Sequence, residues 1–98
     1  MLTSLPVHIT PFALAEIKNI VERKSIPAEY GLRLGMRGSG CSGTSFVIGF
    51  DKRKDSDEVF RLEGIEVFVE KKHLMYLFGV EVDFVENDVE RGFVFNSN

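Results

Sequence analysis

One thiol lies in the glycine-rich stretch GSGCSG at positions 38 to 43, and Cys41 is the only cysteine of the 98 residues. A thiolate is a soft ligand suited to zinc and iron–sulfur clusters, and it is also the nucleophile of cysteine enzymes. Glycine is favoured where the backbone adopts positive φ or where a ligand or a second chain approaches closely. Cys41 is therefore the candidate site residue, with Gly40, Ser42 and Gly43 shaping the loop that presents it.

The same loop fits the dinucleotide-binding pattern G-x-G-x-x-G through Gly38, Gly40 and Gly43. In a dinucleotide site this turn opens a helix, whose N-terminus receives the pyrophosphate. Here the segment TSFVIGF follows, and its apolar residues alternate as they do in a strand. The context therefore argues against a nucleotide site.

A cysteine enzyme is the second alternative, and it requires a base near the thiol or a lowered thiol pKa. The two histidines are His8, close to the N-terminus, and His73, which follows two lysines in KKHLMYLF. Neither belongs to a motif that links it to Cys41, and His73 is interpreted as a surface residue of a short helix. We therefore expect a protein that is not an enzyme.

Metal ligation is the third alternative, although an iron–sulfur cluster normally takes about four protein thiolates. One cysteine cannot supply four thiolates, so the sequence pattern by itself indicates that a single chain does not hold a cluster. A second group of candidate ligands is the late run of carboxylates, which consists of Glu81, Asp83, Glu86, Asp88 and Glu90. We interpret this run as a solvated strand face and turn, with cation binding as the open alternative.

Length and composition limit the class of protein. The chain has room for one hydrophobic core, so residues 1–98 are expected to form a single domain. Apolar residues make up 44% and charged residues 28%, no apolar run approaches the length of a membrane span, and the N-terminus does not resemble a signal peptide. One cysteine allows no internal disulfide, and the net charge of −3 argues against nucleic acid. We expect a cytoplasmic protein with neither membrane nor nucleic-acid partners.

Apolar periodicity predicts a mixed, β-rich fold of the α+β class. Thr10 and Pro11 signal the start of a helix, and the mixed-charge run from 51 to 58 is expected to be a solvated surface loop. Phe46 is expected to be buried on its strand. The predicted elements are helix 11–24 stopped by Pro27, strands 31–37 and 44–50, a hairpin about Glu63 and Gly64, helix 71–78 closed by Gly79, and two strands that contain Val82 and Phe93.

The stretch GLRLGMRGSGCSGTSFVIGF resembles the signature of the HesB/IscA-type family, the A-type carriers of iron–sulfur cluster biogenesis. The segments GIEVFVE, KKHLMYLFG and VDFVENDVERGFVFNSN are similar to later parts of that family in order and spacing, so the resemblance runs from about Thr10 to Asn98. It implies a compact, strand-dominated HesB-like domain that forms dimers or tetramers. It also implies that the protein binds iron or a labile [2Fe–2S] cluster and exchanges it with scaffold and apo acceptor proteins.

Two positions depart from the family pattern. Family carriers have a tail with C-G-C after the last strand, whereas this sequence ends at Asn98, either because it is truncated or because this member lacks the tail. Phe46 stands where the family often has tyrosine, so a phenolic ligand is not carried over. The resemblance therefore implies Cys41 alone as the cluster ligand, and the alternative is a HesB-fold interaction module that has lost metal binding.

Overall fold

Two β-sheets form most of the structure, a computed structural model that describes residues 5–38 and 44–96. One sheet has three strands and the other has four. Within the described ranges, neither helix has the length and apolar character needed to cross a membrane. The elements are β1 His8–Ile9, α1 Pro11–Arg23, β2 Tyr30–Gly38, β3 Thr44–Lys52, β4 Asp57–Leu62, β5 Ile65–Glu70, a 3₁₀ turn Lys71–His73, α2 Leu74–Leu77, β6 Glu81–Glu86 and β7 Arg91–Asn96. The strand order is β1-β6-β7 in the three-stranded sheet and β3-β2-β5-β4 in the four-stranded sheet.

The long helix α1 begins where the sequence predicts. Thr10 is its N-cap, because the Thr10 hydroxyl accepts a hydrogen bond from the backbone N–H of Ala13 at 3.1 Å. The same hydroxyl donates to the carboxylate of Asp83 on β6 at 2.7 Å. The helix ends at Arg23, before Pro27, so the proline does not itself stop it. The start of α1 is thus attached to the three-stranded sheet.

The strand β2 is the centre of the second sheet. It pairs antiparallel with β3 from Tyr30 to Gly38, and it pairs parallel with β5 through Leu32, Arg33 and Leu34. Leu32 and Leu34 are buried, whereas Arg33 points to the opposite face, as the predicted alternation requires. The predicted strands on both sides of the glycine-rich loop are confirmed, and so is the β-rich α+β class.

The neighbouring strand β5 is buried on both faces. Val67 and Val69 belong to the hydrophobic core, and Phe68 is covered on the other face by the guanidinium of Arg33, 5.9 Å from the ring centroid. Gly31 allows this packing, since a Cβ there would lie 2.7 Å from two atoms of the Phe68 ring. A side chain at position 31 would therefore displace the ring.

The charged run from 51 to 58 is not entirely a solvated loop, and that prediction is wrong at its two ends. Asp51 belongs to β3, and Asp57 opens β4 with 5% of its surface exposed. Two guanidinium nitrogens of Arg33 donate to the two carboxylate oxygens of Asp57, at 2.7 Å each, and Arg33 Nε donates to Asp51 at 3.0 Å. The hydrogen bonds from Arg33 hold the pKa of Asp57 below its ordinary value. Burial is possible here because the charge is paired.

The turns agree with the sequence, and the second helix agrees only in part. Glu63 and Gly64 both have positive φ, 48° and 85°, as a two-residue hairpin turn of type I′ requires. The predicted helix 71–78 divides into the 3₁₀ turn Lys71–His73 and the four-residue helix α2. Gly79 closes it with a φ of 78°.

Candidate functional site

The strands β2 and β3 hold the two ends of the glycine-rich loop. Gly38 and Thr44 form the last pair in the β2–β3 register. Cys41 and the other predicted loop residues, Gly40, Ser42 and Gly43, lie outside the described residues. The chain continues as a strand at Thr44 and not as a helix, so the context of a dinucleotide site is absent here.

An aromatic pair brings the end of β7 to this end of β2 and β3. The rings of Phe46 and Phe95 are stacked, with centroids 5.1 Å apart and planes inclined by 15°. Phe46 pairs with Met36, two positions before the Gly38–Thr44 pair, and Phe95 is the penultimate residue of β7. The two sheets therefore meet close to Gly38 and Thr44, the last described residues on either side of the glycine-rich loop.

Phe46 is only partly buried, which corrects the expectation of a buried residue. It lies where the edge strand β3 meets the edge strand β7, and not in the centre of the core. Its stacking on Phe95 joins the two sheets. Truncation of Phe46 therefore has two effects, loss of buried area and loss of this contact between sheets.

His73 also lies against the end of β2, so its interpretation as a surface helix residue is wrong. Its Nδ1 accepts a hydrogen bond from the backbone N–H of Met36 at 3.4 Å, and the residue is half-buried. A Cβ on Gly35 would lie 3.0 Å from the same nitrogen, so the missing side chain makes room for the imidazole. Met36 is beyond Leu34, the last residue of β2 that pairs with β5, and His73 satisfies its N–H there. Sequence reasoning missed this contact because no local pattern connects the two residues.

A basic side chain lies at this end of β2, and two of the late carboxylates have partners of their own. Arg37 is exposed, and no carboxylate of the described residues forms an ion pair with it. Among the late carboxylates, Asp83 accepts from the hydroxyl of Thr10, and Glu86 forms an ion pair with Arg91 at 3.0 Å. Within residues 5–38 and 44–96, no group of three or more His, Cys, Asp or Glu side chains has a geometry suited to a metal ion.

Comparison with known proteins gives a consistent result. A sequence model of a family described as iron-sulphur cluster biosynthesis matches residues 5–98. A mouse protein named iron-sulfur cluster assembly 1 homolog, mitochondrial, is 40% identical over 96 residues, which are 97% of this chain and 73% of the relative. The human and zebrafish proteins of the same name are each 38% identical over the same shares.

These names contradict the expectation of a cytoplasmic location, since the relatives are described as mitochondrial. The expectation was drawn from the single cysteine. The absence of an internal disulfide is compatible with any reducing compartment, so cysteine content does not distinguish one such compartment from another. The prediction of a cytoplasmic protein is therefore wrong.

Solved structures share the fold. The Escherichia coli protein SufA, described as involved in the biosynthesis of iron–sulfur clusters, superimposes with a TM-score of 0.76 at 29% identity, over 93% of this chain and 79% of SufA. A structure of IscA with a [2Fe–2S] cluster superimposes with a TM-score of 0.70 at 21% identity, over 93% of this chain and 81% of IscA. The predicted fold and family are both confirmed: this chain belongs to the iron-sulphur cluster biosynthesis family, the HesB/IscA type that the residues around Cys41 resemble.

Proposed function

We propose that this chain is a carrier in iron–sulfur cluster assembly that binds iron or a [2Fe–2S] cluster through the thiolate of Cys41 and passes it to apoproteins. The observation that carries the proposal is the contact of Phe46 with Phe95, which brings the end of β7 beside the strand ends that lead to Cys41. Cys41 is three positions from each member of the Gly38–Thr44 pair, a distance of at most about 11 Å along the chain. This short distance supports a metal site close to the end of the sheet where β7 also ends.

The ligand set at this position is incomplete within one chain. A cluster takes about four ligands, and Cys41 supplies one. The others come from Cys41 of a second copy, from chain that follows β7, or from small thiols. A solved relative of the same fold, IscA, is described with a [2Fe–2S] cluster, which supports this cargo for the present chain.

Transfer is a ligand exchange. A thiolate of the acceptor forms a bond to iron while the bond between iron and the Cys41 sulfur breaks, and no electrons are transferred. A ligand set of which one chain supplies a single thiolate makes the bound cargo labile, which suits a carrier better than a store. The partners of such a protein are a second copy of itself in a dimer or tetramer, a scaffold that supplies the cluster, and the apo acceptor. We assign this function to residues 1–98 as one domain.

The experiment is anaerobic reconstitution with iron and sulfide, followed by visible absorbance. The Cys41→Ala variant should lose the charge-transfer bands, because its only thiol is removed, and its melting temperature should be unchanged. Ser42→Ala is the matched control, and it should keep the bands because it alters the same loop without the thiol. Bands of full intensity in Cys41→Ala would contradict the proposal, since the metal would then be held elsewhere.

A second candidate is an interaction module of the same fold that binds no metal. It is favoured by three large apolar side chains that are exposed on and just after α2, those of Met75, Tyr76 and Phe78. Reconstituted wild-type protein without visible bands would support this function and contradict the carrier.

A further inference from the structure

The imidazole of His73 continues the hydrogen bonding of β2 beyond the point where its pairing with β5 ends. Leu34 is the last residue of β2 that pairs with β5, and it lies opposite Val69. Met36 is two positions further along β2, and its backbone N–H donates to His73 Nδ1 at 3.4 Å. A half-buried N–H group without a partner is unfavourable, so this contact stabilises the end of the strand that leads to Cys41.

The position of the ring shows which protonation state of His73 makes this contact. His73 is half-buried, and its Nδ1 would lie 3.0 Å from a Cβ on Gly35, so the ring rests directly on the strand. A ring nitrogen accepts a hydrogen bond only when it carries no proton, whereas both nitrogens of the imidazolium are donors. In protonated His73 the Nδ1–H group would face the N–H of Met36, and the hydrogen bond would be lost.

The charged groups near His73 are mostly cations. On its own turn and on the same face of β2 as Gly35 they are Lys71, Lys72, Arg33 and Arg37. Arg33 is paired with two aspartates, and residues 45–49 of β3, which pair with this part of β2, carry no charge. Glu70, the last residue of β5, accepts a hydrogen bond from a serine hydroxyl at 3.4 Å, and no ion pair within the described ranges includes His73. Protonation of His73 therefore adds repulsion to the loss of the hydrogen bond.

We propose that His73 is a pH-sensitive positioning residue, which holds the end of β2 when neutral and releases it when protonated, so that cargo bound at Cys41 is transferred faster in acid. Imidazole is the side chain whose charge changes between about pH 5 and pH 8. Met36 is five positions before Cys41, on the strand that leads to the thiol. Release of this strand end removes a constraint on the exchange of the iron–sulfur bond with an acceptor thiolate. The control of transfer rests on the proposed function, whereas the release of Met36 does not.

The release is tested on the metal-free protein by amide NMR between about pH 8 and pH 5.5. In the wild type the Met36 amide shift should follow the titration of the His73 imidazole with the same midpoint, and the protection of that amide from hydrogen exchange should fall about two- to tenfold in acid. His73→Asn keeps an acceptor that does not titrate, so its Met36 amide should not respond. His8→Asn is the matched control, because it removes the other histidine, which is exposed, and its Met36 amide should titrate as in the wild type. A Met36 amide that does not follow His73, or that still titrates in His73→Asn, overturns the proposal.

The control of transfer is tested on protein reconstituted with iron and sulfide, with an excess of a small dithiol as the acceptor and the decay of the charge-transfer bands as the measure. The rate in the wild type is divided by the rate in His73→Asn, because the ionisation of the dithiol affects both proteins equally. This ratio should be near one at about pH 8 and about two or more at about pH 6. An unchanged ratio overturns the control of transfer. Wild-type protein without bands refutes the proposed function and with it that control, while the release of Met36 is decided separately on the metal-free protein.

Discussion

Replacement of Asp57 by asparagine tests the ion pair that joins β2 to β4. The side chain of Asp57 is fully buried, and that of Arg33 is 14% exposed. Asparagine keeps the size of the side chain and one acceptor oxygen, but it removes the charge that two guanidinium nitrogens contact at 2.7 Å. The backbone N–H of Lys54, which donates to the same carboxylate at 2.7 Å, is disturbed as well.

The expected loss follows from what remains around Arg33. Removal of one partner of a buried pair costs about 3–5 kcal/mol, because the other charge is left without compensation. Arg33 keeps Asp51 at 3.0 Å and the carbonyl of Lys52 at 2.9 Å, so we expect the lower end of that range, about 3 kcal/mol. For a domain of this length the melting temperature should fall by about 12–24 °C.

The same pair predicts a dependence on pH. The hydrogen bonds from Arg33 lower the pKa of Asp57 in the folded state. The stability that this carboxylate contributes is therefore complete above its unfolded pKa of about 3.9, and it is lost as the pH falls below that value toward the folded pKa. The pKa of Arg33 is raised, so the guanidinium stays charged throughout this range. Wild-type protein should lose more stability between pH 5 and acid conditions of about pH 2 than Asp57→Asn does.

Urea unfolding followed by circular dichroism measures both effects. Asp55→Asn is the matched control, because Asp55 is an exposed aspartate of the same loop, and its free energy of unfolding should change by less than about 0.5 kcal/mol. A loss below about 1 kcal/mol in Asp57→Asn would refute the argument from a buried pair. Equal acid sensitivity in the two proteins would refute the argument from the lowered pKa.

Three further substitutions test the packing that supports the site. Gly31→Ala should lower the melting temperature, because a Cβ at position 31 would lie 2.7 Å from an aromatic ring. Gly49→Ala should change the melting temperature little, since a Cβ at position 49 would meet no atom within 4 Å. Equal effects of the two substitutions would contradict the packing argument. Thr10→Val should lower the free energy of unfolding, measured in urea, by about 1–2 kcal/mol, because the helix loses its cap. Thr10→Ser keeps the hydroxyl and should retain most of that free energy. An equal loss in both variants would show that the hydroxyl is not the cap. His73→Leu should speed hydrogen exchange at the Met36 amide, because the acceptor of its hydrogen bond is removed. His73→Asn should not speed the exchange, since asparagine keeps an acceptor near the Nδ1 position. Unchanged exchange in both variants would mean that this 3.4 Å hydrogen bond does not protect the amide.

The strands were predictable because one buried face imposes a period of two on the sequence. Leu32 and Leu34 lie on that buried face, two positions apart, and the glycine at position 64 is typical of the hairpin turn that the structure contains. The two-residue strand β1 was not predictable, since His8 and Ile9 carry no period at all. The four residues of α2 are too few for helical periodicity to separate them from the preceding 3₁₀ turn.

The residue types predict a chemistry for the site, but they did not predict which residues surround the ends of β2 and β3. Cys41 is the candidate ligand because it is the only thiol of this chain. His73 and Phe95 come to the end of β2 and β3 through tertiary contacts across long stretches of sequence, which no local pattern reports. Asp57 lies in a run of charged residues. Composition does not show that this carboxylate is buried against Arg33 while the charged residues from 52 to 55 are exposed to solvent.

The contact of Thr10 with Asp83 has a consequence for the order in which the chain is made. These residues are 73 positions apart, and β1 and β6 pair beside them. A ribosome releases α1 early, but the strand that completes its attachment emerges only near the end of synthesis. Closure of the three-stranded sheet is therefore a late and non-local step, of the kind that folds slowly. Until β6 emerges, the apolar side of α1 lacks the strand that covers it, and the nascent chain is vulnerable to aggregation at that stage.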